Sequence, residues 1–291
     1  MSFYFNYLKR VYNYIRHGVP IVYKQIINAE ITCLAQNDLL KNRTALISGG
    51  TSGIGLEIAK AFLNAGATVI ITGRNDERLH EAIKKFPTGS KCFSFVLDVR
   101  DINQINSSIY NIIRNFGLSK IDILVNNAGI NHGSNPDNYE NNFDEIIETN
   151  LKGSFFLAHT FAQYFKDNKI NGNILNIASS SSDRPATDAY TLSKWGIKGL
   201  TKGLARVYSS YGIVVNGIAP GPTATPMIKG NNLDNELTHE KGLTGRMTHP
   251  VEVANMAVIL VSNISRMVIG DIVYMSGGLG NVYSEDVEYT F

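Results

Sequence analysis

The sequence has few cysteines, no long apolar run and almost no net charge. Its 291 residues include two cysteines, with neither a CxxC spacing nor a nearby histidine cluster, so neither a zinc site nor a disulfide framework is predicted. No apolar run reaches the roughly 18 residues of a membrane span, and no cleavable signal peptide is recognisable. A net charge of +2 gives no indication of nucleic-acid binding. We therefore expect a cytoplasmic, globular protein without a bound metal.

From residue 44 onward, the sequence alternates regularly between short apolar runs and helical patterns. The runs are nearly continuous in Val, Ile and Leu, which is typical of parallel strands buried on both faces. We predict one α/β domain over residues 42–291, built on a doubly wound, Rossmann-type parallel sheet of about seven strands, with ligands at the carboxyl ends of the strands. The strands are expected at residues 44–50, 68–73, 93–99, 121–129, 172–179, 213–220 and 271–278, and the helices after residue 53 and at 76–86, 101–116, 143–165, 188–210 and 250–262.

Residues 1–41 are predicted to form a separate basic, amphipathic helical extension. Aromatic and aliphatic residues recur at helical spacing near its start, and lysines and arginines fall on the other faces. A second helix is expected near residues 21–35. Two roles stay open for the extension. Its tyrosine-rich face favours packing on the body or on a neighbouring subunit, and peripheral contact of residues 1–35 with an anionic membrane surface is the alternative.

The stretch SGGTSGIG, residues 48–55, lies between the first predicted strand and the first predicted helix. Gly49, Gly53 and Gly55 can adopt positive φ and let the backbone approach a pyrophosphate, whose charge the amides of a helix N-terminus stabilise. A glycine-rich turn can also be purely structural. At the first strand-to-helix junction of an α/β chain, however, it predicts a dinucleotide site.

The end of the second predicted strand indicates which dinucleotide binds. An acidic residue there usually accepts hydrogen bonds from the ribose hydroxyls, whereas an arginine suits a 2′-phosphate. The strand ends at Gly73 and Arg74, and the first acidic residue is Asp76. The planar guanidinium of Arg74 matches phosphate oxygens, so the sequence predicts NADP(H) unless Arg74 is only a solvated surface residue.

A tyrosine and a lysine stand four residues apart in YTLSK, residues 190–194. At the start of a predicted helix, Tyr190 and Lys194 extend from one face toward the strand ends. A free tyrosine has a pKa of about 10, and a neighbouring ammonium group stabilises its phenolate. Such a tyrosine can protonate a ketone or deprotonate an alcohol. A YxxxK pair alone is common on helix surfaces, so its meaning depends on the motifs around it.

Several short motifs follow one another along the chain in a recognisable order. They are SGGTSGIG, LDV with Asp98, NNAG at residues 126–129, TNLKG with Asn150, NIAS with Ser179, YTLSK, NGIAPGPTAT with Thr225, and the closing segments at 245–254 and 270–278. Together they resemble the short-chain dehydrogenase/reductase family of the compact, non-extended type, over residues 42–280. Within that family the pattern is most similar to the 3-oxoacyl-[acyl-carrier-protein] reductases.

The resemblance implies a role for each matched residue. Tyr190 would be the proton donor, and Lys194 would lower its pKa and bind the nicotinamide ribose. Ser179 would bind the substrate carbonyl, and Asn150 would hold a water that links Lys194 to solvent. The residues expected to bind the cofactor, with Asp98 at the adenine and Thr225 at the carboxamide, are Gly49, Thr51, Ser52, Gly53, Ile54, Gly55, Arg74, Asp98, Val99, Asn126, Ala128, Gly129, Tyr190, Lys194, Pro220, Gly221 and Thr225.

Four consecutive serines leave the choice of the carbonyl-binding serine open. The family usually places it one or two residues farther from the tyrosine than Ser179 lies from Tyr190, so the connecting loop is shorter than usual. Ser179 is the last residue of the strand-end pattern LNIAS, which favours it. Ser180 stays as the alternative.

These features predict an NADP(H)-dependent oxidoreductase that transfers a hydride between the nicotinamide and a carbonyl or alcohol substrate. The loop at residues 221–245 is polar and bears glycines, as in a mobile lid over a small molecule, and it has few large apolar residues. A 3-oxoacyl thioester is therefore a candidate substrate, and a polar, sugar-like ketone is an alternative. A catalytically silent NADP-binding interaction protein is a further hypothesis. The resemblance also implies a homo-oligomer, either a dimer or a tetramer.

Overall fold

The computed structural model describes residues 31–132, 139–230, 237–239 and 242–279. Within these residues the strands are β1 (Thr44–Ser48), β2 (Thr68–Gly73), β3 (Cys92–Val96), β4 (Ile123–Asn126), β5 (Asn173–Ile177), β6 (Val214–Pro220) and β7 (Ile272–Met275). They form one parallel sheet in the order β3-β2-β1-β4-β5-β6-β7. The strand order reverses direction between β1 and β4, as in doubly wound folds. This architecture confirms the predicted Rossmann-type α/β fold.

Helices cover both faces of the sheet. They are α1 (Gly53–Asn64), α2 (Asp76–Ile83), α3 (Ile102–Asn115), α4 (Tyr139–Ile146), α5 (Ser154–Asp167), α6 (Ala189–Tyr208), the short α7 (Pro226–Lys229) and α8 (Pro250–Val261). Alternate residues of each strand enter opposite cores. Ile47 of β1 packs with α1, α2 and α8, whereas the adjacent Leu46 packs with α3, α5 and α6. The central strands are therefore buried on both sides, which explains their unbroken apolar sequence.

The helix predicted at residues 143–165 is interrupted in the structure. A π-helical turn, Ile147–Gly153, separates α4 from α5. Gly153 lets this turn approach the segment after β3, since a Cβ atom on Gly153 would lie 2.8 Å from the backbone oxygen of Val99. The turn carries Thr149 and Asn150, both buried. A close tertiary contact, rather than a local sequence signal, thus accompanies the wider turn.

Side-chain caps set the start of the helices that frame the sheet ends. Asp188 accepts a hydrogen bond from the backbone N–H of Thr191 at 2.8 Å and begins α6, which places Tyr190 in its first turn. His249 and Glu252 form a reciprocal capping box at the start of α8, with Pro250 at the first helical position. His249 therefore has a structural partner.

The predicted N-terminal extension is described only from residue 31. The first amphipathic helix and most of the second predicted helix, near residues 21–35, lie outside the described residues, and residues 31–35 are not helical. Leu40 is fully buried in the core and Leu34 packs against it, so the packed body begins before residue 42. Among the described helices, none has both the length and the hydropathy needed to cross a membrane.

Candidate active site

A cleft of about 500 Å³ opens at the carboxyl ends of the central strands. The fold places it where the loops after β1, β2, β4, β5 and β6 converge, as expected at the switch point of a doubly wound sheet. Most of the residues predicted to bind a cofactor or substrate line it: Gly49, Thr51, Ser52, Gly53, Ile54, Arg74, Asp98, Val99, Ala128, Gly129, Ser179, Tyr190, Lys194, Pro220, Gly221 and Thr225. Gly55, Asn126 and Asn150 do not belong to the lining.

The glycine turn at one end of the cleft is shaped for a closely approaching ligand. Gly49 and Gly53 have φ values of +66° and +54°, which disfavour any residue with a side chain. A Cβ atom on Gly49 would lie 2.9 Å from the Cα of Ala128. The Ser52 side chain makes no capping hydrogen bond to α1, so the first N–H groups of this helix are left for another acceptor. The turn therefore fits the pyrophosphate of a dinucleotide.

Gly55 and Asn127 support this turn through close contacts. The side-chain amide of Asn127 donates to the backbone oxygens of Ser48 and Gly49 at 2.9 and 3.0 Å, and a Cβ atom on Gly55 would lie 2.5 Å from that amide. Asn126, which we predicted to line the cleft, instead donates to the backbone oxygen of Ser154 at 2.8 Å and ties β4 to α5. Asn127 takes the lining position.

Three arginines from the segments after β2 and β3 line the cleft: Arg74, Arg78 and Arg100. Arg100 binds Asp98 through two of its nitrogens, at 2.6 to 3.1 Å, and this hydrogen bonding lowers the pKa of Asp98. Asp98, predicted to contact the adenine, thus already has a strong side-chain partner. Arg74 makes one longer contact, 3.4 Å from its Nη1 to Oε1 of Glu145.

Asn150 and Lys194 meet beside Gly129. The amide of Asn150 donates to the backbone oxygen of Ile130 at 2.9 Å, and its oxygen accepts from the Ile130 N–H at 2.8 Å. Lys194 donates to the backbone oxygen of Ile177 at 2.9 Å. A Cβ atom on Gly129 would lie 3.4 Å from Oδ1 of Asn150 and 3.7 Å from Nζ of Lys194. Asn150 thus fixes the loop after β4 next to the lysine without lining the cleft itself.

Ser179 and Tyr190 both line the cleft, and the Ser179 hydroxyl acts to lower the pKa of Tyr190. Ser179 also caps a short 3-10 helix, Ser180–Asp183, by accepting from the N–H of Ser181 at 3.1 Å. Ser182 donates to the backbone oxygen of Ser179 at 2.7 Å, which fixes the strand end. Ser180 is buried and does not line the cleft. The geometry therefore brings Ser179, and not Ser180, to the tyrosine.

Burial controls the protonation of both members of the YxxxK pair. It raises the pKa of Tyr190, although the hydrogen bond with Ser179 and the charge of Arg184 act in the opposite direction. Burial lowers the pKa of Lys194 to about 8. The Lys194 ammonium lies 5.5 Å from the centre of the Tyr190 ring and donates its hydrogen bond to Ile177.

Sequence reasoning missed several residues of the cleft. Arg78 and Arg100 carry no motif, and their placement depends on how α2 and the segment after β3 turn at the sheet edge. Thr149 lines the cleft with a buried hydroxyl that has no hydrogen-bond partner. Its position directly before Asn150 in the TNLKG motif was the one available signal. The described residues contain no cluster of three or more potential metal ligands.

The chain is similar to known proteins over most of its length. Residues 43–236 match the family model described as short chain dehydrogenase. The chain is 34% identical to gluconate 5-dehydrogenase of Gluconobacter oxydans, over 82% of this chain and 95% of the relative. It is 36% identical to a 3-oxoacyl-[acyl-carrier-protein] reductase of Chlamydia muridarum, over 84% and 99%.

A solved structure, that of an actinorhodin polyketide ketoreductase variant with NADPH, superposes with a TM-score of 0.73 at 30% identity. The superposition covers 82% of this chain and 97% of the ketoreductase. The motifs, the fold and these similarities lead to one conclusion: the chain belongs to the short-chain dehydrogenase family of oxidoreductases.

Proposed function

We propose that the protein is an NADP(H)-dependent oxidoreductase that interconverts a carbonyl compound and an alcohol, with Tyr190 as the acid and base. The observation that carries the proposal is that Ser179, Tyr190 and Lys194 line the same cleft as the glycine turn. The nicotinamide supplies or accepts the hydride. The chain provides the hydroxyl groups that bind the substrate oxygen and exchange its proton.

Each member of the catalytic group has a distinct proposed task. Tyr190 donates its proton to the carbonyl oxygen during reduction and removes the alcohol proton during oxidation. Ser179 donates a hydrogen bond to the same oxygen and stabilises the charge that develops there. Lys194 binds the nicotinamide ribose and stabilises the tyrosinate after proton transfer. Asn150 positions the loop at Ile130 beside Lys194, and the water predicted at Asn150 stays part of this proposal.

The preference for NADP(H) is proposed from Arg74. This guanidinium follows β2, lines the cleft, and is 55% exposed, so it is available to a 2′-phosphate. Arg78 lines the same region and adds positive charge. The polyketide ketoreductase that resembles this chain was solved with NADPH, which supports the assignment.

Steady-state kinetics with both cofactors tests this preference. Arg74→Asp should raise KM for NADPH by about tenfold or more while changing KM for NADH little, because only NADPH carries the 2′-phosphate. Arg206→Asp, an exposed charge change on α6 away from the cleft, is the matched control and should change neither value. Equal effects of Arg74→Asp on the two cofactors would refute the assignment.

The proposed substrate is a polar carbonyl compound, either a 3-oxoacyl thioester or a sugar-like ketone. Gluconate 5-dehydrogenase and a 3-oxoacyl reductase are similar to the chain to nearly the same extent. The described part of the predicted substrate loop brings Thr223, Met227 and Ile228 to the cleft, so this wall is less polar than the sequence of the loop indicates. This mixed wall favours the thioester, whose acyl chain is apolar.

A direct comparison of activities tests the substrate class. We would measure reduction of 3-oxoacyl thioesters with NADPH and oxidation of gluconate with NADP⁺, using Tyr190→Phe as the inactive control. Thioester reduction that exceeds gluconate oxidation supports the first substrate class, and the reverse supports the second. Tight NADPH binding without turnover of any carbonyl compound would favour a catalytically silent binding protein.

We also propose that the protein forms a homo-oligomer. β7 is the outer strand of the sheet in the described structure, and three of its four residues are half-buried. An edge of this kind can be covered by a second copy of the chain. Light scattering of the purified protein would give the mass, and a monomer at micromolar concentration would contradict the proposal.

A further inference from the structure

Glu145, on α4, contacts two of the arginines that line the cleft. Its Oε1 atom lies 3.4 Å from Nη1 of Arg74 and 3.8 Å from Nη1 of Arg100. Its Oε2 atom lies 2.9 Å from Nε2 of His132, on the segment after β4. Burial alone would raise the pKa of Glu145, but the hydrogen bonds from Arg74 and His132 outweigh it and lower the pKa. Glu145 is therefore an anion beside the end of the cleft where Arg74 lies.

The two arginines differ in how firmly they are held. Arg100 donates several short hydrogen bonds to Asp98, so its guanidinium already has a carboxylate partner. Arg74 has a single long contact with Glu145, and the two side chains are 55% and 34% exposed. An exposed pair with this geometry contributes little stability and is easily exchanged for a better partner. Arg74 is thus the arginine whose partner a ligand can replace.

We propose that Glu145 is a specificity-determining residue, which sets the affinity for a 2′-phosphate by competing with it for Arg74. This inference rests on the proposed NADP(H) preference of Arg74. A phosphate that binds Nη1 of Arg74 takes the place of Oε1 of Glu145, while Oε2 keeps His132 as a partner, so the carboxylate stays in place and stays charged. Its negative charge then repels the phosphate across a short distance.

Glu145 should weaken the binding of only those ligands that carry a 2′-phosphate. NADH and 5′-AMP have no such phosphate to compete for Arg74. Removing the charge of Glu145 should strengthen the binding of ligands with a 2′-phosphate and leave the others unchanged. A different outcome would follow if Glu145 accepted hydrogen bonds from the ribose hydroxyls. Removing its charge would then weaken the binding of NADH.

Binding measurements on Glu145→Gln test the proposal without any catalytic step. Dissociation constants for NADPH and NADH would be measured by fluorescence titration, and those for 2′,5′-ADP and 5′-AMP by calorimetry. We expect Glu145→Gln to tighten NADPH and 2′,5′-ADP by about threefold to tenfold, with changes below about twofold for NADH and 5′-AMP. The gain should disappear when Arg74 is replaced by alanine, since the two residues act as a pair.

Glu148→Gln is the matched control, since it removes the same charge from the same region of the chain. Glu148 is 50% exposed, pairs with Lys152 at 3.6 Å and does not line the cleft. Its replacement should leave all four dissociation constants unchanged. Equal tightening by both variants, no tightening by Glu145→Gln, or tightening that persists without Arg74 would overturn the role of Glu145.

The same experiment separates this inference from the cofactor preference on which it rests. If Arg74→Ala leaves the binding of NADPH and 2′,5′-ADP unchanged, then Arg74 is not the phosphate ligand and the proposed preference itself fails. If Arg74→Ala weakens both ligands while Glu145→Gln has no effect, only the role of Glu145 fails.

Discussion

The hydroxyl of Ser179 has two neighbours in the site, the hydroxyl of Tyr190 and the backbone N–H of Ser181. Its neighbour Ser180 is equally buried but lies off the cleft. We therefore predict that Ser179→Ala lowers kcat by about a hundredfold or more, on the scale typical for loss of a donor to a developing oxyanion. Ser180→Ala should lower it by less than about threefold. If steady-state rates show the larger loss for Ser180→Ala, the serine that binds the carbonyl is Ser180.

Lys194 is buried, and the burial of its charge lowers the free energy of unfolding by an amount that depends on pH. Burial lowers its pKa from the usual 10.5 to about 8, so between these values the unfolded chain binds a proton that the folded protein does not. The free energy of unfolding therefore rises with pH across that window, and below about pH 8 the folded protein carries a penalty of roughly 3 kcal/mol.

Lys194→Met should accordingly stabilise the cofactor-free protein while it abolishes turnover. At pH 7 the variant should melt at a higher temperature than the wild type, because an apolar side chain replaces a buried charge. The difference should shrink as the pH approaches 10, where Lys194 of the folded wild type is neutral. Calorimetry at several pH values provides the measurement, and a difference that does not change with pH would contradict the lowered pKa.

Individual site residues were predictable where a local motif carries them. Gly53 follows from the glycine turn after the first predicted strand, and Tyr190 and Lys194 follow from the YxxxK pattern at the start of a predicted helix. The structure places all three on the cleft. Glu145 was not predictable, because it contacts Arg74 and Arg100, which lie far from it along the chain. Arg100 belongs to no motif, and its place in the cleft depends on how the segment after β3 turns. The orientation of Asn126 toward Ser154 also depends on the packing of α5 against β4.

The position of the π-helical turn, Ile147–Gly153, depends on the close contact of Gly153 with the segment after β3. A Cβ atom on Gly153 would lie 2.8 Å from the backbone oxygen of Val99, and Val99 itself lines the cleft. Gly153→Ala should push the turn away from the sheet and lower the free energy of unfolding by about 1–3 kcal/mol. It should also weaken cofactor binding, since both Thr149 and Val99 line the cleft.

Gly203→Ala on α6 is the matched control for this change. A Cβ atom on Gly203 would meet nothing within 4 Å. In a helix interior this substitution should stabilise the protein by up to about 1 kcal/mol, because alanine favours helix more than glycine does. Denaturant unfolding of both variants would show the opposite signs. Stabilisation by Gly153→Ala would contradict the proposed packing of the turn.

Strands and helices differ in how far the sequence predicts them. The observed β2, Thr68–Gly73, has the predicted bounds, because its apolar run is buried on both faces and ends at a glycine. The observed α6, Ala189–Tyr208, lies close to the predicted 188–210, since Asp188 is a strong start signal. The interruption between α4 and α5 has no comparable signal. Whether this π turn forms depends on the segment that packs against it, and that segment follows β3.

The two ends of the sheet differ in what surrounds them. The carboxyl ends of the strands form the open cleft, and the amino ends are joined by polar contacts around Asp122. Asp122 accepts from Nε of Arg43 at 2.9 Å and from the backbone N–H of Thr44 at 2.9 Å, while Arg43 also donates to Asn173. These bonds connect the starts of β1, β4 and β5 across the fold. Polar contacts thus join the strands at one end of the sheet, whereas the loops at the other end surround the cleft.

One side chain of α8 binds residues 32–34, ahead of β1, and this contact gives a prediction about the stability of the whole fold. Asn255 on α8 donates from Nδ2 to the backbone oxygen of Thr32 at 2.7 Å and accepts from the N–H of Leu34 at 3.2 Å. Both polar groups of one amide thus bind an extended segment, and Leu34 packs on the core beside them. Because Asn255 is remote from the cleft lining, cofactor binding should not depend on it.

Asn255→Ala should lower the free energy of unfolding by about 1–2 kcal/mol, the scale of two hydrogen bonds at a partly exposed site. It should also raise the hydrogen-exchange rate of the Leu34 amide, whereas amides of β1 should keep their protection. Asn103→Ala, an exposed substitution on α3, serves as the control and should change neither quantity appreciably. Unchanged exchange at Leu34 in the Asn255 variant would show that packing of Leu34, and not the Asn255 amide, holds this segment on α8.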